Sequence, residues 1–175
     1  RYYAENIPAN SDILDLCSSW ISHLPKDLKV KSVVGLGMNK EELEKNPQLT
    51  SFDVLDLNKN PKLPYPDNSF DVILNVVSVD YLMKPLEVFK EMERVLRPGG
   101  KAIMSFSDRM FPTKASRIWM NTNNLEHAFI VGSFFHYASP NFEPAQAVDI
   151  SPVKNSRVRV SDPMFIVWAR KKANV

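Results

Sequence analysis

Few residues in this chain have the type and spacing to do chemistry. The three histidines, His23, His127 and His136, lie too far apart for a local metal-ligand pattern, and one cysteine is too little sulfur for a zinc site, so no metal centre is expected. Cys17 could serve as a nucleophile only with a base or a positive helix end to lower its pKa; it sits at an expected helix start, with no base identifiable. Ser18-Ser19 lacks the G-x-S-x-G frame of a hydrolase elbow. The nicotinamide fingerprint G-x-G-x-x-G and the phosphate-cradling P-loop are both absent. His136-Tyr137 is a candidate general-base pair, weighed against the commoner case of a histidine that is simply a satisfied structural group. Acids and amides also stand at the ends of apolar runs, as Asn39 and Asp56 do. An acid such as Asp56 at a strand end can equally be doing turn chemistry.

Those positions need elements to hold them, and the stretch Leu63 to Ser107 supplies the clearest ones. Phe70 to Val79 is a nearly continuous apolar run opened by the turn set Pro66, Asp67, Asn68 and Ser69, which suits a parallel strand buried on both faces. Pro85 falls where a helix tolerates proline. Val88, Phe89, Met92, Val95 and Leu96 then recur at helical spacing, opposite Lys90, Glu91, Glu93, Arg94 and Arg97. Pro98, Gly99 and Gly100 are expected to stop that helix, and Lys101 to Phe106 is a further strand. Strand, helix and strand within about forty residues make one right-handed parallel crossover, so the fold is open α/β.

The remaining elements follow the same logic. Arg1 to Asn6 reads as the tail of a helix. Asp12 to Leu16, Val33 to Asn39 and Phe52 to Leu57 are three more strands. Asn39 is a good N-cap for a helix over Lys40 to Lys45, with Glu41 and Glu42 in its first turn. Thr113 to Met120 and Leu125 to Tyr137 look helical. Phe129, Phe134, Phe135 and Tyr137 form an aromatic stripe that is either core or a substrate lid. Ala145 to Ile150 and Met164 to Arg170 are short apolar strands around a polar loop from Ser151 to Pro163. The basic end, with Arg157, Arg159, Arg170, Lys171 and Lys172, reads as a solvated face.

LPYPDNSFDVI, the apolar strand ending near Asp80-Tyr81-Leu82, and EVFKEMERVLRPGGKAIMS together resemble the middle of class I S-adenosylmethionine-dependent methyltransferases of the type 11 group. The likeness is dense over Ser51 to Ser107, and LRPGG is its most specific piece. It implies a Rossmann-like, doubly wound, mostly parallel seven-stranded sheet of order 3-2-1-4-5-7-6 with an antiparallel C-terminal strand. It also implies S-adenosylmethionine as cofactor, held at the carboxyl ends of the strands, where open α/β sheets bind ligands. The family's D-x-G-x-G-x-G turn corresponds here to Asp15-Leu16-Cys17-Ser18-Ser19-Trp20-Ile21. The acid is kept and all three glycines are replaced, so no position keeps glycine's freedom to let backbone approach the cofactor. The family's ribose-binding acid corresponds to Gly37, leaving Asn39 as a neutral substitute. Asp56 falls where the family accepts from the adenine amino group, and Leu57 where a backbone amide serves the ring. The cofactor-binding set implied is therefore Asp15, Cys17, Ser18, Asn39, Asp56, Leu57 and Asn75, with no catalytic residue assigned.

Bulk properties narrow the function classes. With 175 residues, one methyltransferase-like domain is the simplest organisation. A net charge of +2 with interspersed signs argues against a nucleic-acid footprint. One cysteine excludes an internal disulfide framework. No apolar run approaches the roughly twenty residues that span a bilayer, and no signal peptide is visible. The chain opens at Arg1 without an initiator Met, so a leader or N-terminal segment is expected to have been removed. A soluble intracellular protein, cytoplasmic or organellar, is the expectation. Two functions stay open: methyl transfer from S-adenosylmethionine to a small-molecule acceptor, or a catalytically inactive methyltransferase-like binding or scaffold module that has lost the cofactor.

Overall fold

Alternation along each strand explains the layering of the molecule. In the computed structural model, which describes residues 2–154, 158–159 and 162–175, seven strands form the main sheet. They are β1 (Asp12–Leu16), β2 (Ser32–Gly37), β3 (Ser51–Val54), β4 (Phe70–Val76), β5 (Leu96–Phe106), β6 (Gln146–Asp149) and β7 (Phe165–Arg170). Their order is 3-2-1-4-5-7-6, with β1 to β5 parallel and β7 antiparallel to both β5 and β6. Every residue of β1 is buried, so its successive side chains feed opposite faces. Leu14 and Leu16 join Leu36, Ile73, Met92 and Met104 on one side. Ile13 joins Val33, Val72, Leu74, Ile103 and Ile166 on the other.

The helices are α1 (Tyr2–Asn6), α2 (Lys40–Glu44), α3 (Pro85–Val95), α4 (Arg117–Met120) and α5 (Asn124–Ala138), with a 3-10 turn over Val79–Tyr81. α3 buries Val88, Phe89, Met92 and Val95, the stripe its spacing predicts. α5 starts with a capping box between Asn123 and Glu126. It packs on α3 edge to face, the Phe89 ring lying 4.8 Å from Phe135 and 5.5 Å from Phe134.

Several local expectations need correction. No helix follows β1, so Cys17 does not sit at a helix start: residues 17–31 run as turns and loop. Cys17 and His23 adopt left-handed backbone, with φ of 60° and 54°, and Pro25 cannot continue a helix begun before it. Side chains satisfy this loop's backbone instead. Asn46 Nδ2 donates to the Ser19 carbonyl at 2.9 Å, Gln48 Nε2 to the Leu24 carbonyl at 2.8 Å, and Gln48 Oε1 accepts from the Ser22 N–H at 3.1 Å. α3 stops at Val95, before Pro98-Gly99-Gly100, because Leu96 is already extended and pairs with Phe70 of β4. The Pro-Gly-Gly segment forms a register shift between the Phe70–Leu96 and Val72–Lys101 pairs. Gly100 is required in it: a Cβ would stand 2.8 Å and 2.9 Å from the carbonyl oxygens of Arg97 and Asp71. The helix expected over Thr113 to Met120 is confined to Arg117–Met120, since the Ser116 N–H is drawn to the Asp80 carbonyl at 3.0 Å.

The basic end is not one solvated face. Arg157 lies outside the described residues, and Arg159 belongs to a two-residue ribbon pairing with Val153–Lys154. Lys171 is buried against Glu93, at 3.1 Å. Its ammonium also donates to the carbonyls of Glu93 (2.9 Å) and Leu96 (3.0 Å) and to Asn68 Oδ1 (3.1 Å), closing the C-terminal end of α3. The aromatic stripe of α5 is divided: Phe135 is core and Phe134 half-buried, whereas Phe129 and Tyr137 are 78% and 73% exposed. His136 is exposed, its ring 4.8 Å from that of Tyr137. His127 is the buried histidine, stacked 3.9 Å from the Trp119 ring with Nε2 2.9 Å from the Trp119 carbonyl.

Candidate functional site

The parallel strands end together at one edge of the sheet, and there a cavity of about 380 Å³ opens, within the roughly 300–1,000 Å³ usual for small-molecule sites. Five of the seven expected residues line it: Cys17, Ser18, Asn39, Asp56 and Leu57. The other two stand behind the wall. Asp15 is buried and accepts the Ser18 hydroxyl at 2.6 Å, fixing the turn after β1; its carboxyl is pushed above the ordinary range by burial. Asn75 is fully buried and its Nδ2 donates to the Leu16 carbonyl at 3.2 Å, while its Oδ1 has no partner among the described residues.

The first turn after β1 uses left-handed backbone at a residue that is not glycine. Cys17 has φ 60°, the left-handed region that costs a residue with a Cβ about 1–2 kcal/mol. Burial, and the nearby Asp15 charge, push its thiol up to about 12, which opposes a nucleophilic role. Ser19 also lines the cavity, its hydroxyl donating to Glu42 Oε2 at 2.8 Å. Ile21 does not intrude. It is 57% exposed and lines a separate groove with Leu24, Leu28 and Val33.

Glycine survives where the two turns meet. A Cβ on Gly37 would overlap the Ser18 carbonyl oxygen, and Ser18 N–H donates to the Leu36 carbonyl at 2.8 Å. The tips of β1 and β2 are therefore pressed together under the cavity. Asn39, beyond β2, uses its Oδ1 to cap α2, accepting from the Glu41 and Glu42 N–H groups at 3.1 Å and 3.4 Å. The acid that reaches the cavity is Glu42, held by Ser19 and by Asn39 Nδ2 at 2.9 Å. Sequence reasoning placed Glu42 only in the first turn of α2. Its spacing of three from the cap was the available signal, since that position stands nearest the strand tip. Asp56 lines the cavity, and its Oδ1 accepts the Asn58 N–H at 3.0 Å in a turn just past β3.

The far wall comes from residues not singled out from the sequence, Tyr81 and Lys114. Tyr81 Oη accepts the Phe111 N–H at 3.0 Å, tying the segment that carries Lys114 to the 3-10 turn. Among the described residues no group of three or more His, Cys, Asp or Glu side chains could hold a metal ion. No helix among them is long and apolar enough to cross a membrane.

Known proteins with the same features place the fold. A family model described as a methyltransferase domain matches residues 15–104. Among curated proteins, the chain is 32% identical over 66 residues to a malonyl-[acyl-carrier protein] O-methyltransferase of Marinomonas sp., covering 38% of this chain and 24% of that protein. It is 30% identical over 105 residues to a demethylmenaquinone methyltransferase of Bacillus licheniformis, covering 56% of this chain and 45% of that one. The chain thus spans less than half the length of these relatives. Among solved structures, an S-adenosylmethionine dependent methyltransferase from Mesorhizobium loti superposes with a TM-score of 0.64 at 16% identity, over 93% of this chain and 92% of that chain. With a family match over half its residues and the sheet order of that family, the chain belongs to the methyltransferase-domain family, whose cofactor is S-adenosylmethionine.

Proposed function

We propose that the cavity at the tips of β1, β2 and β3 binds S-adenosylmethionine through Cys17, Ser18, Asp56 and Leu57, with Glu42 in place of the missing ribose acid, and that the protein transfers its methyl group to a small-molecule acceptor. The observation that carries this reading is the meeting of two carboxylates, Glu42 and Asp56, with the close Ser18–Gly37 contact around one cavity of suitable size. A carboxylate accepts two hydroxyl donors at once, which suits Glu42 to a ribose diol. Asp56 is suited to an exocyclic amine and the Leu57 amide to a ring nitrogen. Asp15 and Asn75 act from behind, holding the turn through Ser18 and the Leu16 carbonyl. Lys114 offers a positive charge for a carboxylate at the far wall.

When bound, the cofactor supplies a methyl group activated by a sulfonium, so the protein's task is alignment, which can contribute several kcal/mol. Tyr81, with the segment it pins over the cavity, excludes water from that side. A second reading has one observation in its favour: Cys17, Ser19 and Ile21 replace all three of the family's motif glycines, as in a scaffold that has given up its cofactor. Fold and site are separable, so the sheet would survive that loss.

Calorimetric titration with S-adenosylmethionine and S-adenosylhomocysteine separates the two. Sub-millimolar binding that weakens about 10- to 100-fold in Asp56→Ala and in Glu42→Gln, as expected for loss of a hydrogen bond to a charged group, supports cofactor use. No binding by folded protein supports the scaffold.

A further inference from the structure

At the opposite edge of the sheet from the cofactor cavity lies a second one, of about 360 Å³, between α1, the Pro98–Gly100 segment and the end of β7. Lys101 and Arg170 both line it. They are directly opposed partners on antiparallel β5 and β7, so two like charges share one face, an arrangement that ordinarily destabilises a sheet. Lys101 is only 5% exposed. Its ammonium lies 4.3 Å from the Trp168 ring centroid, and the Arg170 guanidinium 5.9 Å from the same ring. Among the described residues, Lys101 otherwise reaches Asn6 Oδ1, at 3.5 Å, and Arg170 the Gly99 carbonyl, at 3.1 Å. Neither makes an ion pair with a carboxylate among the described residues.

The one acid on the rim is already committed. Asp71 Oδ2 accepts from Arg97 at 2.8 Å and from the Asp12 N–H at 2.8 Å, and Asp12 itself is held by Arg97 and Lys31, each at 3.0 Å. Asp12 and Asp71 thus balance Arg97 and Lys31, and two positive charges remain over the cavity. A buried ammonium without an anion is costly, and burial together with Arg170 holds Lys101 below the ordinary lysine value.

We infer that this cavity is a second ligand site, taking a doubly charged oxyanion of the phosphate type between Lys101 and Arg170. Arginine presents a fork matched to such an anion, and lysine a compact charge beside it. The anion is either free inorganic phosphate or the phosphoryl group of a small metabolite. The Trp168 ring, against which both cations lie, would then back a site in which both are neutralised.

The test is a heteronuclear NMR titration of the whole chain with inorganic phosphate and with glycerol 3-phosphate, at ionic strength held constant with chloride. Saturable shifts at Gly99, Gly100, Lys101 and the Trp168 indole, with sub-millimolar affinity that falls at least tenfold in Lys101→Met and in Arg170→Gln, are expected. Tighter binding of the ester than of phosphate identifies an organic carrier; equal binding identifies the free ion. Shifts matching those of chloride alone, or affinity unchanged in both folded variants, overturn the proposal. Because the cofactor cavity is at the other edge, S-adenosylmethionine binding is expected to be the same in both variants.

Discussion

Replacing Lys171 by Met should be among the most damaging single changes in this protein, although sequence alone makes it look like one of a run of surface bases. The ammonium makes one ion pair, at 3.1 Å to Glu93, and three hydrogen bonds of 2.9, 3.0 and 3.1 Å. Both side chains of the pair are about nine-tenths buried, 8% and 12% exposed. Methionine fills similar volume, so cavity formation is a minor part of the cost. What is lost is the partner of a buried carboxylate and of two carbonyls at the end of α3. Glu93 retains only long contacts from Ser139 Oγ (3.3 Å) and Asn141 Nδ2 (3.4 Å). Removing one partner of a buried pair costs about 3–5 kcal/mol. At about 2–4 °C per kcal/mol for a chain of this size, Tm should fall by about 6–20 °C. Thermal and urea denaturation followed by circular dichroism measure it. Adding Glu93→Gln should recover part of the loss, since the stranded charge disappears. A Lys171→Met protein within 1 kcal/mol of wild type, by both denaturants, would refute the reasoning.

Two further outcomes follow from titratable groups near the cavity at the strand tips. Asp80 is buried, its Oδ2 without a partner among the described residues, and burial pushes its carboxyl up to about 6. A raised carboxyl stabilises the fold fully below its unfolded value of about 3.8 and loses that contribution as pH rises through about 6. Asp80→Asn should therefore gain on wild type between pH 4 and 7, by about 1–3 kcal/mol; parallel stability profiles for the two proteins would contradict this. Cys17, its thiol held near 12, should alkylate with iodoacetamide at pH 8 far more slowly in the native state than in urea. Equal rates would mean that the first turn is open rather than packed.

How much could be read from the sequence depended on how local the physics was. The strand–helix–strand unit from Phe70 to Phe106 is set by its own apolar spacing and by Pro85, and its three elements form in the expected order, with the helix ending at Val95 and the second strand starting at Leu96. β1 likewise follows from five consecutive buried positions. The loop after β1 was not legible as a loop, because what holds Ser19, Ser22 and Leu24 are side chains of Asn46 and Gln48, more than twenty residues away. Lys171 escaped for the same reason: its partners lie 75 to 103 positions earlier. At the cavity, motif positions located Cys17, Ser18, Asp56 and Leu57, but Asn39 was spent on capping α2. The carboxylate that reaches inward, Glu42, lies in the first turn of α2, beyond the strand-end position Gly37 that corresponds to the family's acid.

The seventh strand of the sheet follows β6 in sequence but does not lie beyond it in space. β7 sits between β5 and β6, so the sheet cannot be completed in the order in which the ribosome delivers it. Until Phe165–Arg170 emerges, β5 presents a long unpaired edge and β6 has nothing to pair with, and exposed edges of that kind recruit other chains. A frameshift or stop codon just before Phe165 would therefore do more than shorten the protein: it would leave a nascent chain arrested with its stickiest surface bare, a natural client for chaperones and proteases.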